Sequence, residues 1–452
     1  MQRAGRAIER LIGADVHDGE WHLVLLFFAN LFMLLAAYYI LKIVREPLIL
    51  LTGGAVSRSY ARGVQAVLLV LLVPVYSVLA NRFEPARLVT WIMGFFALCL
   101  LGFFALGEAG VSVGFAFFVW LGMFATLSIA QFWSLANDVM TKDEGKRLFP
   151  MVAAGGTIGG IAGAQVAART IDGHPLHLML LAALLLACCA LLTHATHGVG
   201  SSHRARRPGE VAKERDVRGG FGLVMHDRYL LLIAASVLIL NLINTTGDFM
   251  LAQFVNAKAH TLALGARRHF IGAFYGDLQT YVSVLAAAVQ ILVVSRVFKT
   301  VGVGGALLFM PALAVFGYGA AAFVPVLALV ATVKVVENST DYSLQNTVQQ
   351  ALFLPTSRDA KYKAKSAIDT VSVRLGDLAS AGLVAVGAQL GFTLFGYAMA
   401  NAVAGLLWLW VVVKLRRRQR DLFTMPLAGA ATAARLPQRA EDLNAAIQRW
   451  SA

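Results

Sequence analysis

Residues 21–46, which read WHLVLLFFANLFMLLAAYYILKIVRE, decide the fold class of this chain. Their first part is long and apolar enough for an α-helix to cross the hydrocarbon core of a bilayer, which takes about 20 residues. It runs directly into Lys42, Arg45 and Glu46, whose spacing places them on one face of that helix. Charged side chains inside a membrane usually line a water-filled cavity on a substrate or ion path. The alternative is that these three extend from the helix end into the lipid headgroups.

The composition extends this interpretation to the whole chain. The 452 residues are 58% hydrophobic and 14% charged, with a mean hydropathy of +0.69, whereas a soluble domain carries about 25% charged residues. Repeated apolar runs predict an all-α polytopic membrane protein with twelve transmembrane helices. The predicted spans are 21–43, 59–79, 88–106, 113–140, 149–168, 176–196, 229–256, 270–297, 301–323, 324–354, 366–388 and 391–414.

The net charge of +14 follows from topology and does not indicate nucleic-acid binding. Lys and Arg are concentrated in the central loop, after the last span and after the even-numbered spans. By the positive-inside rule, the central loop and both termini are therefore cytoplasmic. The predicted organisation is a cytoplasmic N-terminal segment, a six-helix bundle, a basic cytoplasmic linker, a second six-helix bundle and a cytoplasmic tail, at residues 1–20, 21–197, 198–228, 229–414 and 415–452.

Other classes of site find no support in the sequence. The first twenty residues do not resemble a cleaved signal peptide. Cys99, Cys188 and Cys189 all lie inside predicted spans, so we expect neither a disulfide framework nor a metal site. We find no catalytic constellation, and we expect no enzyme activity, no cofactor and no protein partner.

The two predicted bundles show internal similarity. Asn30-Leu31 corresponds to Asn241-Leu242, and at equal offsets Lys42 corresponds to Gln253. Residues 133–137 (WSLAN) similarly correspond to residues 342–346 (YSLQN). Parallel six-helix repeats are the layout of major facilitator transporters, in which the substrate site lies between the halves near the bilayer midplane.

Glycines recur every four residues in the fifth span, at Gly155, Gly159 and Gly163. This spacing is typical of a face that lets two helices approach closely. No Lys-Ser/Thr pair follows at the spacing of a phosphate-binding loop, so we favour helix packing over ligand contact.

Charged residues inside the spans predict a site for an anion. Several Lys and Arg side chains lining one cavity suit an anion, and the Arg fork favours phosphate or carboxylate. The candidate substrate-binding residues are Lys42, Arg45, Lys334, Lys365, Arg374, Tyr38 and Asn137. The candidate gating or charge-balancing residues are Glu46, Asp248, Glu337, Asp341, Asp369 and Asp377, and buried acids of this kind also carry protons in coupled transporters. Two alternatives stay open: a structural ion pair between Lys334 and Glu337, and simple packing by the aromatic side chains.

Three segments resemble the ATP/ADP translocase family of nucleotide exchangers. They are residues 132–150 (FWSLANDVMTKDEGKRLFP), residues 38–46 (YYILKIVRE) and residues 361–377 (KYKAKSAIDTVSVRLGD). The resemblance implies a twelve-span fold of the major facilitator type and the exchange of nucleotides across a bacterial inner membrane. It also implies that Arg45 and Lys365 bind substrate.

The sequence departs from established nucleotide exchangers in the seventh span, where TTGDF at residues 245–249 replaces a Trp- and Lys-rich stretch. The expected function is therefore exchange of nucleotides or a related phosphorylated anion by alternating access. The first alternative is a proton-coupled major facilitator carrier or exporter of another organic anion. An alternative of a different class is a membrane sensor or scaffold without transport activity.

Overall fold

A computed structural model describes residues 20–82, 85–140, 142–171, 175–204, 217–353, 356 and 364–433. Every regular element in these ranges is helical. The first group of helices is α1 (Trp21–Arg82), α2 (Pro85–Glu108), α3 (Gly114–Val139), α4 (Lys142–Thr170), α5 (His177–Arg204) and α6 (Val217–His226). The second is α7 (Arg228–His260), α8 (Leu264–Leu292), α9 (Val294–Ala306), α10 (Phe309–Phe323), α11 (Leu327–Thr340), α12 (Asn346–Leu352), α13 (Lys365–Ala367), α14 (Val373–Gln389) and α15 (Leu394–Ala433).

Seven of the described helices are long and apolar enough to cross a membrane, and an eighth crossing results if α8 and α9, bent by 74°, form one span. Large apolar side chains such as Trp91, Leu191 and Phe316 are exposed. In a soluble protein such a surface would be unfavourable, whereas in a bilayer it contacts lipid. The chain is therefore a multi-pass helical membrane protein.

Helix α1 doubles back at Gly54. The φ of this residue is 67°, a left-handed conformation that glycine adopts without steric cost. Beyond it, Arg58 donates to Glu46 over 2.8 Å, although twelve residues of straight helix would separate the two by about 18 Å. The two segments of α1 on either side of Gly54 therefore lie side by side.

The same packing order occurs in both halves of the chain. The first segment of α1 packs on α4 and α5, and α7 packs in the same way on α14 and α15. Close approach depends on glycine in both cases: a Cβ on Gly155 would lie 2.6 Å from the carbonyl oxygen of Phe28, and one on Gly376 would lie 2.6 Å from that of Leu238. Substituents on Gly159 and Gly163 would also meet the backbone of α1. The packing interpretation of the fifth-span glycines is thus confirmed.

The described halves contact each other most extensively through α4 with α8 and α1 with α14, and α1 also contacts α7 and α8. A Cβ on Gly63 of α1 would lie 3.0 Å from that of Ala381 in α14. Gln165 of α4 donates to Thr280 of α8 over 2.7 Å. The halves are therefore in close contact along α1 on both sides of Gly54, at the C-terminal end of α4 and along the first two thirds of α8.

Two π-helical turns interrupt the second half. Asp341–Gln345 lies between α11 and α12, and Ile368–Ser372 lies between α13 and α14. π-Helical turns inside α-helices are frequent at functional sites because they displace side chains from the regular helical positions. The first turn begins at Asp341, which is a candidate site residue from the sequence. The second turn ends two residues before Arg374, which is also a candidate site residue.

Several helix ends differ from the predicted span limits. The first predicted span ends at residue 43, but its helix continues to the turn at Gly54. The predicted ninth span corresponds to α9 and α10, and the junction predicted at residues 323–324 falls between the end of α10 and the start of α11. Helix α5 extends to Arg204, beyond the predicted start of the linker. In the first span, Arg45, Glu46 and Pro47 interrupt the apolar run without ending the helix, which explains that difference.

Candidate functional site

Three residues of α1 form a buried charged group, which we call the arginine cluster: Arg45, Glu46 and Arg58. Arg45 donates to Glu46 over 2.5 Å, and Arg58 donates to the other carboxylate oxygen over 2.8 Å. The guanidinium carbon of Arg45 lies 4.0 Å from the ring centroid of Phe118 in α3, a cation–π contact. Two guanidinium groups surround one carboxylate, so the cluster carries one net positive charge.

The second half contains a cluster of the opposite composition, which we call the lysine cluster: Lys334 of α11, Glu337 of α11 and Asp248 of α7. The Lys334 ammonium, which is fully buried, lies 2.9 Å from Glu337 and 3.1 Å from Asp248. It also donates to the backbone carbonyl of Asn244 over 3.0 Å, and Glu337 accepts from the Tyr318 hydroxyl over 2.7 Å. Two carboxylates surround one ammonium, so this cluster carries one net negative charge.

A third group joins the two halves, and we call it the bridging cluster: Arg62, Arg374 and Asp377. Arg62 of α1 lies 3.3 Å from the Asp377 carboxylate of α14, and Arg374 lies 3.3 Å from its other oxygen. Asp377 also accepts a hydrogen bond from Thr245 of α7 over 2.7 Å. Of the two arginines, only Arg62 links the halves, because Arg374 and Asp377 lie on the same helix.

Lys42 differs from the cations in these clusters. Its ammonium donates to the Gln279 side chain of α8 over 2.8 Å and lies 5.2 Å from the ring centroid of Tyr39. Within the described part of the chain it makes no ion pair with a carboxylate. Lys42 is half-buried and surrounded by protein. It is therefore an enclosed cation at the contact between the halves.

Asp341 and Tyr342 line the same enclosed region. Tyr342 is 50% exposed although protein surrounds it, and it lies close enough to Tyr38 and Tyr39 to interact electrostatically. Asp341 is half-buried, and its carboxylate makes no hydrogen bond or ion pair with the described residues. Ser339, two residues before Asp341, donates to the carbonyl of Val282 in α8, three residues from the Gln279 that accepts from Lys42, so residues of both halves lie close together here.

The remaining predicted site residues lie apart from this region. Asn137 is exposed, and its amide donates to the carbonyl of Trp133 in its own helix over 2.7 Å. Lys365 donates to Gln350 over 2.5 Å, and Asp369 is exposed. Residues 361–363, part of the eleventh-span motif, lie outside the described residues. No group of His, Cys, Asp or Glu in the described ranges has an arrangement that could hold a metal ion.

Comparison with known families decides the classification. The sequence model of the TLC ATP/ADP transporter family matches residues 117–418, more than half of the chain. The chain belongs to this family. The resemblance seen in the sequence is thereby confirmed.

Two curated relatives agree with this assignment. The ADP,ATP carrier protein 1 of Chlamydia trachomatis is 24% identical over 336 residues, which cover 63% of this chain and 61% of the carrier. The protein of the same name from Chlamydia muridarum is 24% identical over 387 residues, covering 74% of this chain and 69% of that carrier. The match to the C. trachomatis carrier therefore spans less than two thirds of that carrier.

Solved structures agree on the fold. A nucleoside transporter, NupG, has a TM-score of 0.60 at 15% identity and covers 89% of this chain and 99% of its own. A bacterial homologue of the iron transporter ferroportin, in an inward-facing state, has a TM-score of 0.64 at 13% identity. The match covers 88% of this chain and 99% of the homologue. This member of the TLC family thus has the fold of these transporters, and its membership of a transporter family indicates a carrier rather than an enzyme.

The sequence interpretation missed four polar residues of the site: Arg58, Arg62, Thr245 and Gln279. A signal was present for two of them, because Arg58 and Arg62 are four residues apart at the start of an apolar run. The second span was predicted to begin at residue 59, which placed Arg58 outside the membrane. Nothing in the sequence indicates that Gln279 would meet Lys42, because that contact depends on how the halves dock.

Proposed function

We propose that this TLC family member exchanges nucleotides of the ATP/ADP type, or a related phosphorylated anion, across a bacterial inner membrane by alternating access. The observation that carries the proposal is Lys42, an enclosed cation at the contact between the halves with no carboxylate partner among the described residues. A cation of this kind attracts an anionic substrate, since desolvated charges interact more strongly than exposed ones. The assignment to nucleotides rests on family membership and on the names of the Chlamydia relatives.

The proposed architecture has twelve crossings in two six-helix halves. In this arrangement α1 supplies two crossings, one on each side of Gly54. Helices α9 with α10, α11 with α12, and α13 with α14 each form one interrupted crossing. Interrupted helices suit a transporter, because irregular backbone at membrane depth is tolerated where it lines a cavity.

The proposed state of the carrier is open to the cytoplasm. The closest packing between halves brings Ile171, after the C-terminal end of α4, against Gly272 of α8, and Gly63, after Gly54, against Ala381 of α14. With both termini in the cytoplasm, as the basic residues predict, these contacts lie on the opposite face of the membrane. The ion pair between Arg62 and Asp377 then holds that face closed.

Exchange follows from charge balance in the cavity. With the cavity empty, Lys42 and the net charge of the arginine cluster oppose burial in a dry interface, because an uncompensated charge is costly to desolvate. A bound nucleotide phosphate would compensate these charges and permit closure. Entry of one nucleotide would thereby be coupled to exit of another.

Uptake into proteoliposomes tests this proposal. Vesicles containing the purified protein are preloaded with ADP, and uptake of labelled ATP is measured with and without a proton gradient. Acceleration by internal ADP without a gradient is the expected result. Uptake that needs a proton gradient and does not change with internal nucleotide would instead support the proton-coupled carrier. In that carrier Asp341 would be the carboxylate available to bind the proton. A chain that takes up no anion under either condition would support the sensor or scaffold alternative.

A further inference from the structure

We propose that Asp341 and Tyr342 form a subsite that reads the base of the transported nucleotide and selects bases carrying an exocyclic amino group. The inference rests on the proposed nucleotide exchange and adds a specificity determinant to the same cavity. It assigns base recognition to the π-helical turn between α11 and α12.

The first observation is the aromatic lining. The turn that carries Tyr342 lies beside the region of Lys42 and Tyr39, because Ser339 just before it donates to Val282 of α8, one helical turn from Gln279, the partner of Lys42. The rings of Tyr38 and Tyr39 are in edge contact, with centroids 5.1 Å apart. Tyrosine rings from two sides of a cavity suit a flat heteroaromatic ring, and such stacking is tolerant of base identity because every base has a π-face.

The second observation is the carboxylate beside these rings. Asp341 interacts electrostatically with Tyr342, is accessible to water and is enclosed by protein. The carboxylates of Asp248 and Glu337 are committed to Lys334, but Asp341 has no such partner among the described residues. An ionised carboxylate only accepts hydrogen bonds, so its partner in a substrate must be a donor.

The third observation is the position of Lys42, which places a cation for the phosphate next to the aromatic rings for the base. The ammonium of Lys42 lies 5.2 Å from the Tyr39 ring centroid, so a cation and an aromatic ring are adjacent in the same region. Lys42 suits the phosphate end of a nucleotide, while the tyrosines and Asp341 suit the base end. A single ligand with a negative end and a flat donor end matches both.

The chemistry predicts which bases are preferred. The amino groups of adenine and cytosine donate to a carboxylate, whereas hypoxanthine and uracil present a carbonyl oxygen at the same place. A site built to accept a hydrogen bond rejects an analogue that lacks the donor, because its buried acceptor is then left unpaired. The carboxylate would also be repelled by the carbonyl oxygen.

Competition binding on the detergent-solubilised full chain tests the subsite, with labelled ADP displaced by ATP, ITP, CTP or UTP. We expect the wild type to bind ATP at least about tenfold more tightly than ITP, and CTP more tightly than UTP, as expected when a buried acceptor loses its donor. Asp341→Asn should reduce both ratios at least about fivefold, because an amide also donates to a carbonyl oxygen. Glu108→Gln, an exposed acid at the end of α2, should leave the ratios unchanged.

Substitutions at Tyr342 test the stacking half of the proposal. Tyr342→Phe keeps the ring and should retain binding of every nucleotide, whereas Tyr342→Ala should weaken all of them by roughly tenfold. Nucleotide binding with equal affinity for ATP and ITP, or an Asp341→Asn protein with wild-type ratios, would overturn the subsite and leave nucleotide exchange standing. A wild-type protein that binds no nucleotide would overturn both proposals.

Discussion

The arginine cluster and the lysine cluster have opposite charge compositions around one central residue. In the first half, two guanidinium groups surround Glu46; in the second, two carboxylates surround Lys334. The arginine cluster is contained in the folded-back α1 and packs against Phe118. The lysine cluster joins α7 and α11, with Tyr318 of α10 bonded to Glu337. Charges of opposite sign are thus left over on the two sides of the contact between halves.

The comparison of the two clusters shows which charged residues are already paired and which remain available to a substrate. Arg45, which the family resemblance favours as a ligand, is committed to Glu46 and Phe118. Its role in substrate binding stays a prediction that requires it to leave Glu46. Lys42 of the first half and Asp341 of the second have no ionic partner among the described residues. These two, rather than the members of the clusters, are in a position to bind a ligand in the state described.

Breaking each cluster at its central residue should have the largest effect on stability. Glu46→Gln leaves two arginines without a counter-charge, and Lys334→Met leaves two carboxylates, at a cost of about 3–5 kcal/mol each. The variants should differ in their response to acid. Carboxylates can be neutralised by protonation, whereas a guanidinium keeps its charge.

Thermal unfolding in detergent at neutral and mildly acidic pH measures this contrast. In Lys334→Met the folded state takes up protons more readily than the unfolded state, so its stability relative to wild type should rise as the pH falls. Glu46→Gln should show no such recovery. Equal pH responses of the two variants would contradict the mirror-image description of the clusters.

The glycine contacts should give the next largest effect. Gly159→Ala places a methyl group against the Phe32 carbonyl of α1 and should destabilise the first half by about 1–3 kcal/mol, as overpacking does. Gly382→Ala in α14 is the matched control, since a Cβ there meets nothing within 4 Å. If both variants unfold at the same temperature, close packing of α1 on α4 does not stabilise the first half.

Much of this architecture can be predicted from the sequence, whereas the contacts between the halves cannot. Apolar runs predicted the helices, and the spacing of Gly155, Gly159 and Gly163 predicted the close packing of α4. The spacing of Lys334 and Glu337 offered an ion pair within one helix as an alternative, because such contacts depend only on helical geometry, and the structure contains that pair. The partners Arg62 and Gln279 were missed because their contacts join residues more than two hundred positions apart.

The bridging cluster should give the smallest effect and tests whether it closes one face. Arg62→Ala removes the link between halves, whereas Arg374→Ala removes a partner of the same carboxylate within α14. The Arg62 side chain is partly exposed, and without it the buried Asp377 carboxylate keeps Arg374 and Thr245 as partners, so we expect a shift in conformational populations of only a few-fold. Spin labels at Thr170 and Leu264, both exposed and on opposite halves, report the separation by double electron–electron resonance.

The expected result is a larger fraction of long distances in Arg62→Ala and an unchanged distribution in Arg374→Ala. A similar change in both variants would show that Asp377 acts through its own helix rather than through the link to α1. An unchanged distribution in Arg62→Ala would remove the bridging cluster from the closure of this face.

Direct binding of ADP to a Lys42→Gln protein tests the central claim, that Lys42 is the available cation of the anion site. Gln is one atom shorter than Lys, but its amide keeps an N–H donor for Gln279 while the charge is removed. A charge-assisted hydrogen bond is worth about 1.5–3 kcal/mol, so titration calorimetry at low salt should show ADP affinity reduced by about tenfold or more. Arg169→Gln, an exposed cation at the end of α4, should bind ADP like the wild type. Wild-type affinity in Lys42→Gln would contradict the account.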